Sequence, residues 1–129
     1  MLLAIDYGAR RIGLALADET DRLVLPFKEL ANRGVDQTIK ELSQIINQEK
    51  ITKIIIGLPL SLSGKSSLKT NETQKFIDIL AKNIDIPVIT IDERLTSKLA
   101  DTMSAGTKGS RDVGAAMIIL EDFLSRMRE

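Results

Sequence analysis

Four acidic residues in this 129-residue chain stand where carboxylates could act together: Asp6, Asp92, Glu93 and Asp112. Asp6 follows a short apolar run, Asp92 and Glu93 follow another, and Asp112 opens a helix-patterned stretch holding Ala115, Ile118, Ile119 and Phe123. Carboxylates brought close together repel, and each raises the pKa of its neighbours. A divalent cation relieves that conflict. Magnesium suits a few carboxylates together with water and phosphate oxygens. Two such ions, roughly 3.5–4 Å apart, can clamp the attacking and leaving oxygens of a phosphodiester. This chemistry needs neither imidazole nor thiol, and the chain has no histidine and no cysteine. Their absence excludes disulfides, Cys/His zinc sites, cysteine nucleophiles and a Ser-His-Asp triad within the chain. Taken singly, each acid has a plainer reading. Asp6 can form a strand-end turn, Asp112 can serve as a helix N-cap or first-turn residue favoured by the helix dipole, and Glu93 can pair with Arg94. Their joint placement is what points to metal-assisted chemistry.

That placement depends on the surrounding elements. Residues 2–5 read as a strand buried on both faces. Residues 12–17 form a second strand in which large Ile12, Leu14 and Leu16 alternate with small Gly13, Ala15 and Ala17, which predicts close backbone packing on the small face. A third strand covers residues 23–27, where Pro26 argues for a sheet edge. Short turns join these three into an antiparallel meander. Helical spacing of Ile39, Leu42, Ile45 and Ile46 follows a polar start near Asp36. Residues 54–56 are a buried strand ending at Gly57-Leu58-Pro59, and residues 61–67 a polar loop. A helix beginning at Thr70 or Asn71 carries Phe76, Ile77 and Leu80, and the fifth strand spans residues 87–91. A helix over about 96–105 and a loop at 107–110 precede the final helix. Strands joined by crossover helices become parallel neighbours. The pattern therefore predicts an α/β fold, one domain over residues 1–129, with a five-stranded mixed sheet in the order 3-2-1-4-5 flanked by helices. The carboxyl ends of strands one and five then share the edge where open α/β sheets bind ligands.

Lysine plus arginine and aspartate plus glutamate number 18 each, so net charge does not select a partner and local patches must. Arg10, Arg11, Lys65, Lys69, Arg94, Lys98, Lys108 and Arg111 fall in or beside loops at the acidic edge, where they are expected to neutralise phosphates flanking a scissile bond. Aromatic residues are scarce, which argues against base stacking on several rings. Tyr7 is the one candidate and equally a packing residue. Gly8 suits a tight turn beside Asp6, and Gly57 a close backbone approach. Gly64-Lys65-Ser66 lacks the earlier glycine and the strand-to-helix frame of a Walker A loop, so nucleotide binding is set aside. No apolar run approaches the roughly 18 residues of a membrane span. The start meets a charge at Asp6 without a basic region before it, and absent cysteine fits a reducing compartment. A cytoplasmic protein without membrane association is expected.

Five segments in order carry a family resemblance: Leu3-Ala4-Ile5-Asp6-Tyr7-Gly8, Arg11-Ile12-Gly13-Leu14-Ala15-Leu16-Ala17-Asp18, Ile55-Ile56-Gly57-Leu58-Pro59-Leu60, Ile91-Asp92-Glu93-Arg94-Leu95-Thr96, and Asp112 ahead of Ala115-Ala116-Met117-Ile118-Ile119-Leu120. From residue 1 to about 124 the chain resembles the YqgF/RuvX family. The resemblance implies an RNase H-like fold and a magnesium- or manganese-dependent nuclease using two ions. Asp6, Glu93 and Asp112 then fill the catalytic, metal-holding positions, with Asp92 as a neighbour able to substitute. It implies one of two substrates, the 5′ end of pre-16S rRNA in ribosome biogenesis or a Holliday junction in DNA recombination and repair. Structured RNA, within a pre-ribosomal particle, is the expected partner. A resolvase cutting two strands symmetrically would normally be a dimer, whereas Ala116, Ile119 and Phe123 of the last helix are needed to cover the sheet, so a monomer is expected. The chain departs from the family in the short stretch before Asp112, where the basic loop is reduced to Lys108 and Arg111, in Val113, and in Lys65-Ser66-Ser67 after Gly64. These changes touch substrate grip rather than the carboxylates. Two other classes compete: a non-catalytic RNase H-like nucleic-acid-binding module, and an actin-like or sugar-kinase-like ATPase. The ATPase needs two lobes, and the chain has room for one.

Overall fold

In the computed structural model, which describes residues 1–59, 68–92 and 111–127, alternating apolar runs become strands and 3.6-spaced runs become helices. The order is β1 (Leu2–Tyr7), β2 (Arg11–Ala17), β3 (Val24–Ala31), α1 (Val35–Glu49), β4 (Lys53–Leu58), α2 (Leu68–Asn83), β5 (Val88–Asp92) and α3 (Arg111–Met127). The five strands form one sheet in the order β3-β2-β1-β4-β5. Pairing is antiparallel between β1 and β2 and between β2 and β3, and parallel between β1 and β4 and between β4 and β5. This is the arrangement that a meander followed by crossovers dictates.

Strand alternation sends two sets of side chains to opposite faces. Leu3, Ile5, Leu14, Ile54 and Ile56 pack against Leu42 and Ile45 of α1 and Phe76, Ile77 and Leu80 of α2. Leu2, Ala4, Ala15, Ala17, Ile55 and Ile91 pack against Ala116, Ile119, Leu120 and Leu124 of α3. The Gly13-Ala15-Ala17 alternation finds its reason here. A Cβ on Gly13 would overlap the carbonyl of Asp112, so the start of α3 lies directly on the β2 backbone.

Most strands differ from their sequence-based bounds by one or two residues, and the differences at β3 and α2 bear on the site. β3 is expected over residues 23–27 but runs from Val24 to Ala31. Ala15 faces Pro26 while Leu14 faces Lys28, which leaves Phe27 as an extra residue at a register shift. Proline has no N–H to donate, and bulged edge strands tolerate it. The strand passes the interruption and resumes pairing. α2 begins at Leu68, two residues before Thr70, and the Thr70 hydroxyl anchors its first turn by donating to the Pro59 carbonyl. The helix expected over about 96–105 and the loop at 107–110 lie outside the described residues.

Candidate active site

Asp6, near the end of β1, stands opposite Gly13 in β2, and Gly13 stands opposite Glu29 in β3. Residues directly opposite share a face, so these three positions form a row across the sheet on the α3 side. With no side chain at Gly13, the backbone of Asp112 rests in the middle of that row. Asp6 and Asp112 are thus brought together by strand register and one missing Cβ.

Asp6 is 8% exposed. Among the described residues no hydrogen bond or salt bridge reaches its carboxylate. Its pKa is raised from 3.8 to about 6. Burial is the main cause, Lys69 opposes it, the Asp112 charge adds to it and Arg111 opposes it. A buried carboxylate beside a second carboxylate makes a pair of hard oxygen ligands whose repulsion a small divalent cation would relieve. The donor set fits magnesium or manganese. Asp112 lies in the first turn of α3, where the helix dipole favours an anion. Its Oδ2 is 3.5 Å from Arg11 Nε, which is also 3.3 Å from Glu29 Oε1. Arg11 therefore bridges two carboxylates.

Of the remaining expected residues, Glu93, Lys65, Arg94, Lys98 and Lys108 lie outside the described residues. Among the described residues no three acids form a metal-holding group. Ile91 packs in the α3 layer and Val88 in the opposite one, so alternation places Asp92 on the face away from Asp6. Arg10, in the β1–β2 turn, and Arg111, the first residue of α3, are both exposed. Tyr7 stacks on Phe76 with ring centroids 4.2 Å apart at 13°, which makes it a packing residue. Two contributors escape the sequence reading. Glu29 reaches the site through the register shift that Pro26 signals in an edge strand. Asn32 donates from Nδ2 to the Gly8 carbonyl at 2.8 Å and from its N–H to the Arg10 carbonyl at 2.9 Å, tying the end of β3 to the turn after Asp6.

Over residues 1–126 the chain matches the RuvX family, described as Holliday junction resolvase. The "Putative pre-16S rRNA nuclease" of Maridesulfovibrio salexigens is 38% identical over 132 residues, covering 97% of this chain and 98% of that protein. The protein of the same name from Rickettsia felis is 36% identical over 135 residues, covering 99% and 88%. Among solved structures, T. thermophilus RuvC in complex with Holliday junction substrate matches with a TM-score of 0.62 at 14% identity, over 98% of this chain and 94% of that one, a likeness of fold. The chain belongs to the RuvX family and carries its domain on an RNase H-like fold of the RuvC kind.

Proposed function

We propose that residues 1–129 act as a single nuclease domain, a metal-dependent hydrolase of phosphodiester bonds whose substrate is the 5′ end of pre-16S rRNA. The observation that carries this reading is the buried Asp6 carboxylate, reached by no donor among the described residues and set beside Asp112 across Gly13. Asp6 and Asp112 hold one or two magnesium or manganese ions. Glu93, one residue past the end of β5, is the third ligand by the family resemblance of the Asp92-Glu93-Arg94 segment. When bound, the ions supply charge neutralisation and Lewis acidity at the scissile phosphate. The chain fixes their position through the β1 backbone on one side and the first turn of α3 on the other. Arg10, Lys69 and Arg111, with Lys65, Arg94, Lys98 and Lys108, meet the flanking phosphates.

The names of the relatives support RNA as substrate. The family description supports a second reading, cleavage of branched DNA. A resolvase would pair two active sites about a two-fold axis, yet Ala116 and Ile119 of α3 are spent on the sheet, which favours a monomer working on structured RNA. The cytoplasm is the corresponding place of action, and among the described residues no helix is long and apolar enough to cross a membrane.

The test compares wild type with Asp6→Asn on a labelled pre-16S fragment and on a synthetic four-way junction, in magnesium and in EDTA. Wild type is expected to trim the RNA in magnesium alone. Loss of the ligand should lower the rate at least about a hundred-fold, since even groups behind metal ligands cost 10–100-fold. Wild-type rates from Asp6→Asn under saturating magnesium would remove the assignment. Symmetric junction cutting by a purified dimer, with no RNA trimming, would move the substrate to DNA.

A further inference from the structure

The Asp6–Gly13–Glu29 row holds an acid for which the metal reading has no use. Glu29 lies on β3, at the sheet's edge, and its carboxylate is 3.3 Å from Arg11 Nε, which in turn is 3.5 Å from Asp112 Oδ2. We propose that Glu29 is a positioning residue that, by sharing Arg11, keeps Asp112 available to a divalent cation. The inference rests on the reading of Asp112 as a metal ligand.

A guanidinium is a permanent cation. Paired one-to-one with Asp112, it would compete with the metal for the same oxygens. Held between two carboxylates, it orients Asp112 without neutralising it fully. The Glu29 side chain is 28% exposed against 68% for Arg11, so the carboxylate is the better-packed partner and acts as the anchor.

The register shift decides that an acid stands here. Between Val24 and Pro26 the pairing with β2 runs in one register, and from Lys28 onward in another, with Phe27 as the extra residue. Had the first register continued, Gly13 would face Lys28 instead of Glu29. A one-residue slip exchanges the faces of a strand. An unbroken β3 would thus add a second cation beside Asp112, where the bulged strand adds an anion that draws Arg11 away.

Mn2+ binding measured by titration calorimetry on the full chain, without substrate, tests the proposal. Glu29→Gln should weaken Mn2+ binding about two- to five-fold, the scale of an exposed ion pair, and the loss should shrink at high salt. Glu29→Lys, which supplies the charge of the unbroken register, should weaken it further. Arg11→Gln in the Glu29→Gln background should restore wild-type affinity, because the competitor is gone. A merely structural Glu29 would lower the melting temperature and leave Mn2+ affinity unchanged in the folded protein. The proposal fails if Glu29→Gln binds Mn2+ as tightly as wild type, or if the double variant stays as weak as the single one. If wild type itself binds no Mn2+, the metal reading falls first and takes this proposal with it.

Discussion

Leu3 and Ala4 are neighbours in one strand yet enter layers packed in different ways. On the side of Leu3, fully buried Leu3, Ile5, Ile12, Leu14, Ile54 and Ile56 meet α1 and α2. On the side of Ala4, the row of Ala4, Gly13, Ala15 and Ala17 lets α3 approach so closely that its first turn touches the sheet backbone. Large apolar side chains remove most surface from water and so contribute most of the hydrophobic stabilisation. Small ones contribute less, but they fix how near two backbones can come. One face holds the fold together, and the other sets how near Asp112 comes to Asp6. Substitutions on the two faces should therefore fail in different ways.

The largest stability effect is expected on the bulky face. Phe76 is 1% exposed and stacked on Tyr7. Phe76→Ala should cost about 3–5 kcal/mol of unfolding free energy, measured by denaturant titration, while the folded fraction cleaves RNA within a few-fold of wild type. A hundred-fold loss of rate in that folded fraction would mean that the faces are not separable. Gly13→Ala should show the converse. Overpacking typically costs about 1–3 kcal/mol, but displacement of Asp112 by about 1 Å can cost on the order of a hundred-fold in rate. A variant with unchanged rate and melting temperature would contradict the close approach of α3 to Gly13.

The acid that this packing buries should weigh on stability with the opposite sign. Asp6 has a folded pKa of about 6 against an ordinary aspartate value of 3.8. A raised carboxyl pKa means that the folded state holds the proton more tightly than the unfolded state. The associated stability is fully present below about pH 4 and is lost as pH rises through about 6. At pH 7.5 the ionised group costs the metal-free fold up to roughly 3 kcal/mol, at 1.36 kcal/mol per pH unit. Asp6→Asn should therefore melt several degrees above wild type in EDTA at pH 7.5 and show no gain at pH 4. A lower melting temperature at pH 7.5 would mean that the carboxylate stabilises the fold, contrary to its burial.

The sheet order and the small face were legible in the sequence because their signals are local: period-two runs, turn residues, and Gly13-Ala15-Ala17 set against Ile12-Leu14-Leu16. Asp6 and Asp112 were legible for the same reason, each falling at the end of a recognisable element. Glu29 was not. Pro26 reads as the mark of a sheet edge in a strand ending at Phe27, and nothing within Lys28-Glu29-Leu30-Ala31 says that pairing continues or in which register, because β2 decides that. The start of α2 was misplaced for a related reason. Leu68 is 74% exposed and offers no apolar signal, while the anchor at Thr70 comes from Pro59, eleven residues away.

The smallest effect expected concerns the charge that the α1/α2 layer contributes to the site. Lys69 lies in the first turn of α2, which the Thr70–Pro59 hydrogen bond holds against the end of β4. Its charge is the main influence lowering the pKa of Asp6 against burial. Lys69→Gln should push that pKa further up, which widens the gap to the unfolded state and destabilises the metal-free protein at pH 7.5. Because Lys69 is exposed, the loss should stay below about 1 kcal/mol and diminish as salt screens the pair. The direction is opposite to that of Asp6→Asn, and the two changes should not add. Lys69 acts through its Coulombic influence on Asp6, so removing Asp6 removes the group through which it acts. Melting curves of the four proteins in EDTA at low salt measure this coupling. Equal destabilisation by Lys69→Gln with Asp6 and with Asn at that position would place the role of Lys69 within α2 itself, and the bulky layer would then contribute packing to the site but no charge.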